Sequence, residues 1–288
     1  MCKRKANQMT EGKKVWVTGA NGFVGSSVVK YAEDHGYTVL ATPSDLSVCD
    51  FERLQAFAEE ARPDVVINCA GIRKEAAGFS NRVRAYEVNA LGARNVALAA
   101  DGIDAIMVQI STDDVYCSKL EEPVNEFDSP HPDTPYGKSK RAGEVMVRDT
   151  TRKHIIVRSS WLYNCESGML AGALAAAKAD EKYEARMDQY AAPVSLATYL
   201  DFVFRAIEKE RFGTFHIATR GRASRYDFLK RALEIAGFEA ERVLVPTTDA
   251  KTAENLVLES LMLEMFGIDM PTWEEDLASY LQLQGIAK

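Results

Sequence analysis

Histidine is scarce in this sequence: four residues (His35, His131, His154 and His216) in a chain of 288, none at metal-ligand spacing. Cysteine is little better represented. Cys2, Cys49, Cys69, Cys117 and Cys165 are odd in number, far apart and free of any Cys-x-x-Cys pair, so they are expected to be reduced structural thiols, and no metal site is expected. Positive charge is in deficit: 35 Lys and Arg face 42 Asp and Glu, a formal charge of −7. Long-range attraction to nucleic acid or to an anionic membrane is therefore not expected, and any anionic ligand must be captured locally. Long apolar runs are missing too. Nothing approaches the roughly 18 residues needed to span a bilayer, and residues 1–14 hold no apolar signal-peptide core, so the expected location is the cytoplasm.

What is present is ordinary globular material, 47% hydrophobic and 27% charged, with no internal repeat and no long charged block. At roughly 100 to 200 residues per domain, the length suits one large or two modest domains. Apolar runs of strand length occur at Lys13–Thr18, Thr38–Ala41, Asp64–Cys69, Asp104–Ser111, His154–Arg158 and Thr214–Ala218, with helical patterns between them. Strands such as Val65-Val66-Ile67 are continuously apolar, as expected when both faces are covered. The fold expected is α/β: a Rossmann-type, doubly wound parallel sheet with a smaller, mainly helical C-terminal substrate lobe. Residues 1–160 are assigned to the nucleotide-binding domain and 161–288 mainly to the substrate lobe, with 193–220 returning to the sheet. Helices are expected over Gly168–Asp180 and Leu196–Glu210 and after Arg225, Ala253 and Thr272.

Two clusters carry chemistry. Thr18-Gly19-Ala20-Asn21-Gly22-Phe23-Val24-Gly25 sets three glycines between a strand and a helix. The first permits a sharp turn, the second lets backbone approach a pyrophosphate, and the third lets helix pack on strand, while the amides at the helix start hold the phosphate charge. A ligand-free tight turn is the plain alternative. The end of the second strand, Val39-Leu40-Ala41-Thr42-Pro43-Ser44-Asp45, shows neither the acid that would bind the NAD ribose nor the base that would favour NADP. NADP or NAD is left open, and Asp45 fits a turn cap equally well.

The second cluster is Tyr136-Gly137-Lys138-Ser139-Lys140, which puts Tyr136 and Lys140 on one helix face. A phenol is a weak acid at neutral pH, and a neighbouring ammonium brings it towards working range. Ser111-Thr112-Asp113-Asp114 follows a buried run, at the carboxyl end of an expected parallel strand where open α/β sheets bind ligands. Thr112 could polarise a carbonyl there, or the triplet could simply cap a turn.

These segments, with Asn68-Cys69-Ala70-Gly71, Val88-Asn89-Ala90-Leu91-Gly92, Gly143-Glu144 and Arg158-Ser159-Ser160-Trp161-Leu162-Tyr163, resemble the motifs of extended short-chain dehydrogenase/reductases. Within that family the chain is similar to the dTDP-4-dehydrorhamnose reductase branch, with further likeness in Met187–Pro193 and Asn255–Glu259. The resemblance implies a Thr112/Tyr136/Lys140 triad, with Lys140 also on the nicotinamide ribose. It implies a cofactor beside Gly19, Asn21, Gly22, Phe23, Val24, Gly25, Asp50, Asn68, Cys69, Ala70 and Gly71, and a nucleotide sugar between the lobes near Arg73, Thr112, Asp113, Asp114, Tyr136 and Trp161. The implied reaction is NAD(P)H-dependent reduction of a 4-keto group, with a homodimer as the candidate assembly.

The sequence also departs from the family. Asp114 stands where a Tyr is usual, Gly71-Ile72-Arg73 where a small residue, Tyr and Thr are usual, and Ser47 where the first acid of Asp-x-x-Asp is usual. The small-Pro-Thr step reads Ala192-Pro193-Val194, and the usual Asn-Phe gives way to Glu166–Met169. A nucleotide-sugar epimerase or dehydratase, and a non-catalytic regulatory subunit like the beta subunit of methionine adenosyltransferase, are the competing readings. Trp161 as a core aromatic and Arg73 as a solvated surface charge are the plain alternatives for those two residues.

Overall fold

The computed structural model describes residues 12–42, 45–73 and 77–287. Cys2, and Pro43 and Ser44 of the segment on which base specificity was read, lie outside the described residues. The chain divides into two compact units, one made of residues up to Val115, Pro130–Val157 and Val203–Thr214, the other of Tyr116–Ser129, Arg158–Phe202 and the rest from Phe215.

In the first unit the elements run β1 (Lys14–Thr18), α1 (Phe23–Asp34), β2 (Thr38–Thr42), α2 (Phe51–Ala61), β3 (Val65–Asn68), α3 (Arg82–Tyr86), α4 (Ala93–Asp101), β4 (Ile106–Ile110), α5 (Pro135–Thr150) and β5 (His154–Ser159). One π-helical turn, Glu87–Gly92, joins α3 to α4. β1 pairs in parallel with β2 and β3, β3 with β4, and β4 with β5. A later strand, β10 (Gly213–Ile217), completes a six-stranded sheet ordered β2-β1-β3-β4-β5-β10. The apolar runs form its centre because both faces are covered: every residue of β3 and β4 is buried. Trp16, Leu54, Val66, Met107 and Ile156 meet in one core cluster, each fully buried apolar side chain contributing about 1.5–3 kcal/mol. Trp16 satisfies its indole N–H on Thr42 Oγ1 at 2.9 Å.

The strand order reverses between β1 and β3, and open α/β sheets take ligands outside the carboxyl ends at such a point. Register puts Thr18 beside Asn68 and Asn68 beside Gln109 at that end.

The second unit contains β6 (Leu162–Tyr163), α6 (Gly168–Ala179), β7 (Tyr183–Arg186), β8 (Gln189–Ala191) and β9 (Val194–Ser195). α7 (Leu196–Glu208) contributes to both units; beyond it come β11 (Ala223–Ser224), α8 (Arg225–Ile235), α9 (Ala240–Val243), β12 (Leu244–Thr247), β13 (Glu254–Asn255), α10 (Leu261–Met265) and α11 (Trp273–Leu283). The pairs β6/β9 and β7/β12 and the trio β11-β8-β13 are small sheets around a core that includes Tyr163, Phe228, Leu229 and Leu277. Capping boxes at Ser224/Asp227 and Thr272/Glu275 start α8 and α11. Among the described residues no helix is long and apolar enough to cross a membrane.

Two expectations change. The helix expected after Ala253 starts only at Leu261, as the short α10; β13 and an extended stretch come first, because the buried run Leu256-Val257-Leu258 is held flat: Asn255 N–H donates to the Ser118 carbonyl at 2.8 Å and Glu259 N–H to that of Val124 at 2.8 Å. Those same bonds draw residues 116–129 into the second unit, although they precede the boundary expected near residue 160; within 193–220 the strand that returns to the sheet is Gly213–Ile217, and only 203–214 group with the first unit.

Candidate active site

The phosphate turn is built by exclusion. Gly19 has φ +64°, and a Cβ there would lie 2.7 Å from Ala70 backbone, so only glycine lets the turn press on the end of β3. A Cβ on Gly25 would lie 2.2 Å from the Gly19 carbonyl oxygen, so the third glycine lets α1 start against the turn. Gly22 caps α1 with no side-chain bond, and the first turn holds no acid. Asn21 and Gly22 are exposed, while Phe23 and Val24 are half-buried. The helix therefore presents amides and positive dipole to an anion, a cradle that fits a dinucleotide pyrophosphate.

A buried chain of hydrogen bonds runs from this turn across the sheet. Thr18 Oγ1 donates to Asn68 Oδ1 at 2.6 Å, and Asn68 Nδ2 donates to Gln109 Oε1 at 2.8 Å. Gln109 Nε2 then donates to the Ile110 carbonyl at 2.8 Å, which also accepts Lys140 Nζ at 2.6 Å. Asn68 thus braces the strand ends and holds the Ala70 amide at 3.3 Å; Cys69 and Ala70 are half-buried and Gly71 is exposed.

Lys140 is 8% exposed, and burial lowers its ammonium to about 8, against the pull of Glu144 and Cys69 in the other direction. Burial pushes the Cys69 thiol up to about 12, so it stays protonated. An ammonium has three protons, and among the described residues Ile110 takes one of them. Two buried donors left over fit the hydroxyls of a nicotinamide ribose.

α5 starts at a Thr134 cap, whose Oγ1 accepts the Gly137 amide at 3.0 Å, with Pro135 in its first turn. Tyr136 follows, half-buried. Its carbonyl accepts Ser139 Oγ at 2.8 Å, and Ser139 Oγ accepts Asn89 Nδ2 at 2.9 Å. Asn89 sits in the π-helical turn and also exchanges bonds with the Ile72 backbone, accepting its amide at 2.7 Å and donating to its carbonyl at 3.1 Å. Two glycines seat α5. A Cβ on Gly143 would meet the Asn89 carbonyl oxygen at 2.1 Å, and one on Gly137 the Asp114 carbonyl oxygen at 1.8 Å. The helix turn that carries Tyr136 therefore abuts the turn that carries Thr112.

Thr112, 8% exposed, makes that turn itself: its Oγ1 accepts the Asp114 amide at 3.2 Å and donates towards Asp113 Oδ1 at 3.1 Å and Asp114 Oδ2 at 3.4 Å. The capping arrangement is thus observed, and it leaves the hydroxyl proton as the group Thr112 can redirect. Asp50 caps α2, its Oδ1 accepting the Arg53 amide at 3.2 Å. Arg73 is exposed.

In the second unit, Trp161 is half-buried beneath the Arg225 guanidinium, 4.3 Å above its ring. Arg225 Nε donates to Gln189 Oε1 at 2.6 Å, and the neighbouring Arg222 lies 5.0 Å over the Tyr190 ring. No sequence pattern singles out these arginines, nor the partners of Ser111, which reads in sequence only as part of a turn cap, of Gln109 and of Ser139. The last three are short polar residues whose partners lie 30 or more positions away, so no local spacing marks them.

A phosphate turn on the first strand with Tyr-x-x-x-Lys on the helix after β4 defines an extended short-chain dehydrogenase/reductase, the class to which fold and site point. The family model described as the RmlD substrate binding domain matches residues 13–285, and the chain belongs to that family. It is similar to the spore coat polysaccharide biosynthesis protein SpsK of Bacillus subtilis, 32% identical over 93% of this chain and 97% of that protein. It is similar also to the dTDP-4-dehydrorhamnose reductase of Mycolicibacterium smegmatis, 32% identical over 83% of this chain and 74% of that one. Among solved structures, the dTDP-4-dehydrorhamnose reductase of Bacillus anthracis in complex with NADP superposes with a TM-score of 0.86 at 30% identity, over 94% of this chain and 99% of that one.

Proposed function

We propose that the chain is an NAD(P)H-dependent reductase of the 4-keto group of a nucleotide-activated deoxysugar, dTDP-4-dehydrorhamnose being the substrate to which its relatives point. The observation that carries the reading is the buried Lys140 ammonium one turn beyond Tyr136, with donors to spare, on a helix seated against the Thr112 turn. Cofactor contacts are assigned to Gly19, Asn21, Gly22, Phe23, Val24 and Gly25 at the phosphates, and to Asn68, Cys69, Ala70 and Gly71 beyond β3. Asp50, which spends Oδ1 on its helix cap, offers its other oxygen to the adenosine end. When bound, a reduced nicotinamide supplies the hydride.

Tyr136 delivers the proton to the oxygen that gains charge as the carbonyl is reduced, and Lys140 stabilises the phenolate left behind. Thr112 turns its hydroxyl proton from the Asp113 and Asp114 carboxylates to the substrate carbonyl, and its accepted bond from the Asp114 amide keeps the oxygen in place while it does so. Substrate contacts are assigned to Arg73, Asp113, Asp114 and Trp161.

The test is loss of reduced-nicotinamide absorbance with dTDP-4-dehydrorhamnose, run separately with NADH and NADPH. Turnover is expected, and Tyr136→Phe lowers it by about 10²- to 10⁴-fold while dinucleotide affinity stays within about twofold. No oxidation of either cofactor by a folded, cofactor-binding protein overturns the substrate assignment, and an unaffected Tyr136→Phe rate removes Tyr136 as the acid.

A further inference from the structure

Glu144 is almost wholly enclosed, 1% exposed, on the face of α5 one turn beyond Lys140. A lone carboxylate there would be costly, so its partners must account for it. Glu144 Oε1 accepts the Ser111 hydroxyl at 2.6 Å, and Oε2 accepts Arg141 NH1 at 2.9 Å. Ser111 is the residue between the Ile110 carbonyl, on which Lys140 rests, and Thr112, and its amide is tied to the Val157 carbonyl at 2.8 Å. The carboxylate therefore grips the end of β4 at the point where two of the three proposed reacting groups are attached.

We propose that Glu144 is a positioning residue of the reductase site, locking Ser111 so that Thr112 and the Ile110 carbonyl hold their places and setting a buried carboxylate one helical turn from Lys140. The proposal rests on the reductase reading for its kinetic consequences, but the effect on Lys140 is a property of the unliganded protein. Among the described residues, Glu144 from α5 and Cys69 beyond β3 are the titratable groups that act on Lys140; Tyr136 and Arg141 share its helix, and Asp113 and Asp114 follow β4, whose last carbonyl accepts its Nζ. Cys69 is held as a neutral thiol, so Glu144 is the acid that opposes the burial of Lys140 most strongly. Arg141 tempers Glu144 from the solvent side, where it is 25% exposed.

The sign follows. Neutralising Glu144 removes the support for the ammonium, so Lys140 loses its proton at lower pH; removing Arg141 does the reverse. Glu144→Gln keeps size and an acceptor for Ser111. Its Lys140 side chain, followed by NMR in the cofactor-free protein and identified through Lys140→Met, is expected to titrate about one pH unit lower than in the parent. In the reductase assay the basic limb of kcat moves down with it, costing about fivefold at pH 8 while the rate at pH 6 stays within about threefold. Ser111→Ala leaves the limb in place and lowers kcat at every pH, by about tenfold, because the lock is lost and the charge is not. Arg141→Met serves where Glu144→Gln does not fold, and moves the Lys140 titration upward. An unmoved Lys140 titration in folded Glu144→Gln and Arg141→Met overturns the proposal. A protein that fails to reduce any 4-keto sugar but still shows the titration shift counts against the reductase reading alone.

Discussion

The two units bury polar groups in opposite ways. In the second unit two buried polar clusters are filled by protein partners, although Ser160 Oγ and Asn255 Oδ1 elsewhere in that unit have none among the described residues. Asp276, 3% exposed, accepts Tyr163 Oη at 2.7 Å, the Ser195 amide at 2.7 Å, Ser195 Oγ at 2.9 Å and Thr198 Oγ1. Arg158 NH1 donates to Tyr116 Oη at 2.7 Å and lies 3.3 Å from His216 Nε2, while His216 Nδ1 reaches the Glu259 carbonyl at 2.9 Å. That carbonyl can only accept and Arg158 can only donate, so the bonds assign His216 to the neutral tautomer with its proton on Nδ1. In the first unit the chain from Thr18 to Lys140 ends on an ammonium with capacity left over. Closed networks specify a packing, and an open-ended one is a place where a ligand can finish the pattern.

Substitutions can break this contrast. The largest effect is expected at Gly137→Ala, where the new methyl would sit 1.8 Å from a backbone oxygen that has nowhere to go. Overpacking of this kind costs about 1–3 kcal/mol or more, and shifting Tyr136 against Thr112 lowers kcat by at least about 100-fold. The matching glycine of the second unit, Gly172, would put a methyl 2.9 Å from the Tyr183 ring, a side chain that can swing. Gly172→Ala is expected to cost less than about 1.5 kcal/mol, with kcat unchanged, by thermal melting and assay.

Next in size is Asp276→Asn. An amide in place of a carboxylate turns one acceptor into a donor among groups that all donate, and about 2–4 kcal/mol of unfolding free energy should be lost, measured by denaturant titration.

The Lys140 contrast is read from pH. Its proton is held to about 8 in the fold against 10.5 in the free side chain, so between these values the unfolded chain binds more protons, and the lysine's share of stability rises with pH. The cost of its charge is greatest below about pH 8. Lys140→Met is expected to flatten the rise in urea midpoint from pH 8 to 10 and to be inactive.

The smallest effect is expected for Asp114→Asn. The Thr112–Asp114 carboxylate contact is long at 3.4 Å, and Asp113 still takes the hydroxyl proton, so kcat should change by no more than about threefold, the lost substrate contact being read in KM.

This contrast also decides what could be read in advance. The phosphate turn and Tyr136 with Lys140 are local patterns, and β1 to β5 are continuous apolar runs, so periodicity alone locates them. The second unit is held by strands of two to four residues, too short for any period, and by pairings such as Ser118 with Asn255 that join distant segments. The π-helical turn is equally silent in sequence, since Asn89 sets it by reaching Ile72 and Ser139 rather than its own neighbours. Asp50 shows the limit at single residues: an acid before an apolar helical run is both a ligand candidate and a helix cap, and the cap is the role that a contact within the fold shows.

The sheet order has a consequence for how the chain is made. β5 lies between β4 and β10, yet more than 50 residues separate Ser159 from Gly213. As the polypeptide leaves the ribosome, the nucleotide-binding sheet therefore waits with an open, apolar edge at β5 until residue 217 has emerged. Such an edge is a template for pairing with another nascent chain. Truncation shortly before Gly213 is expected to give an aggregating product rather than a small folded domain.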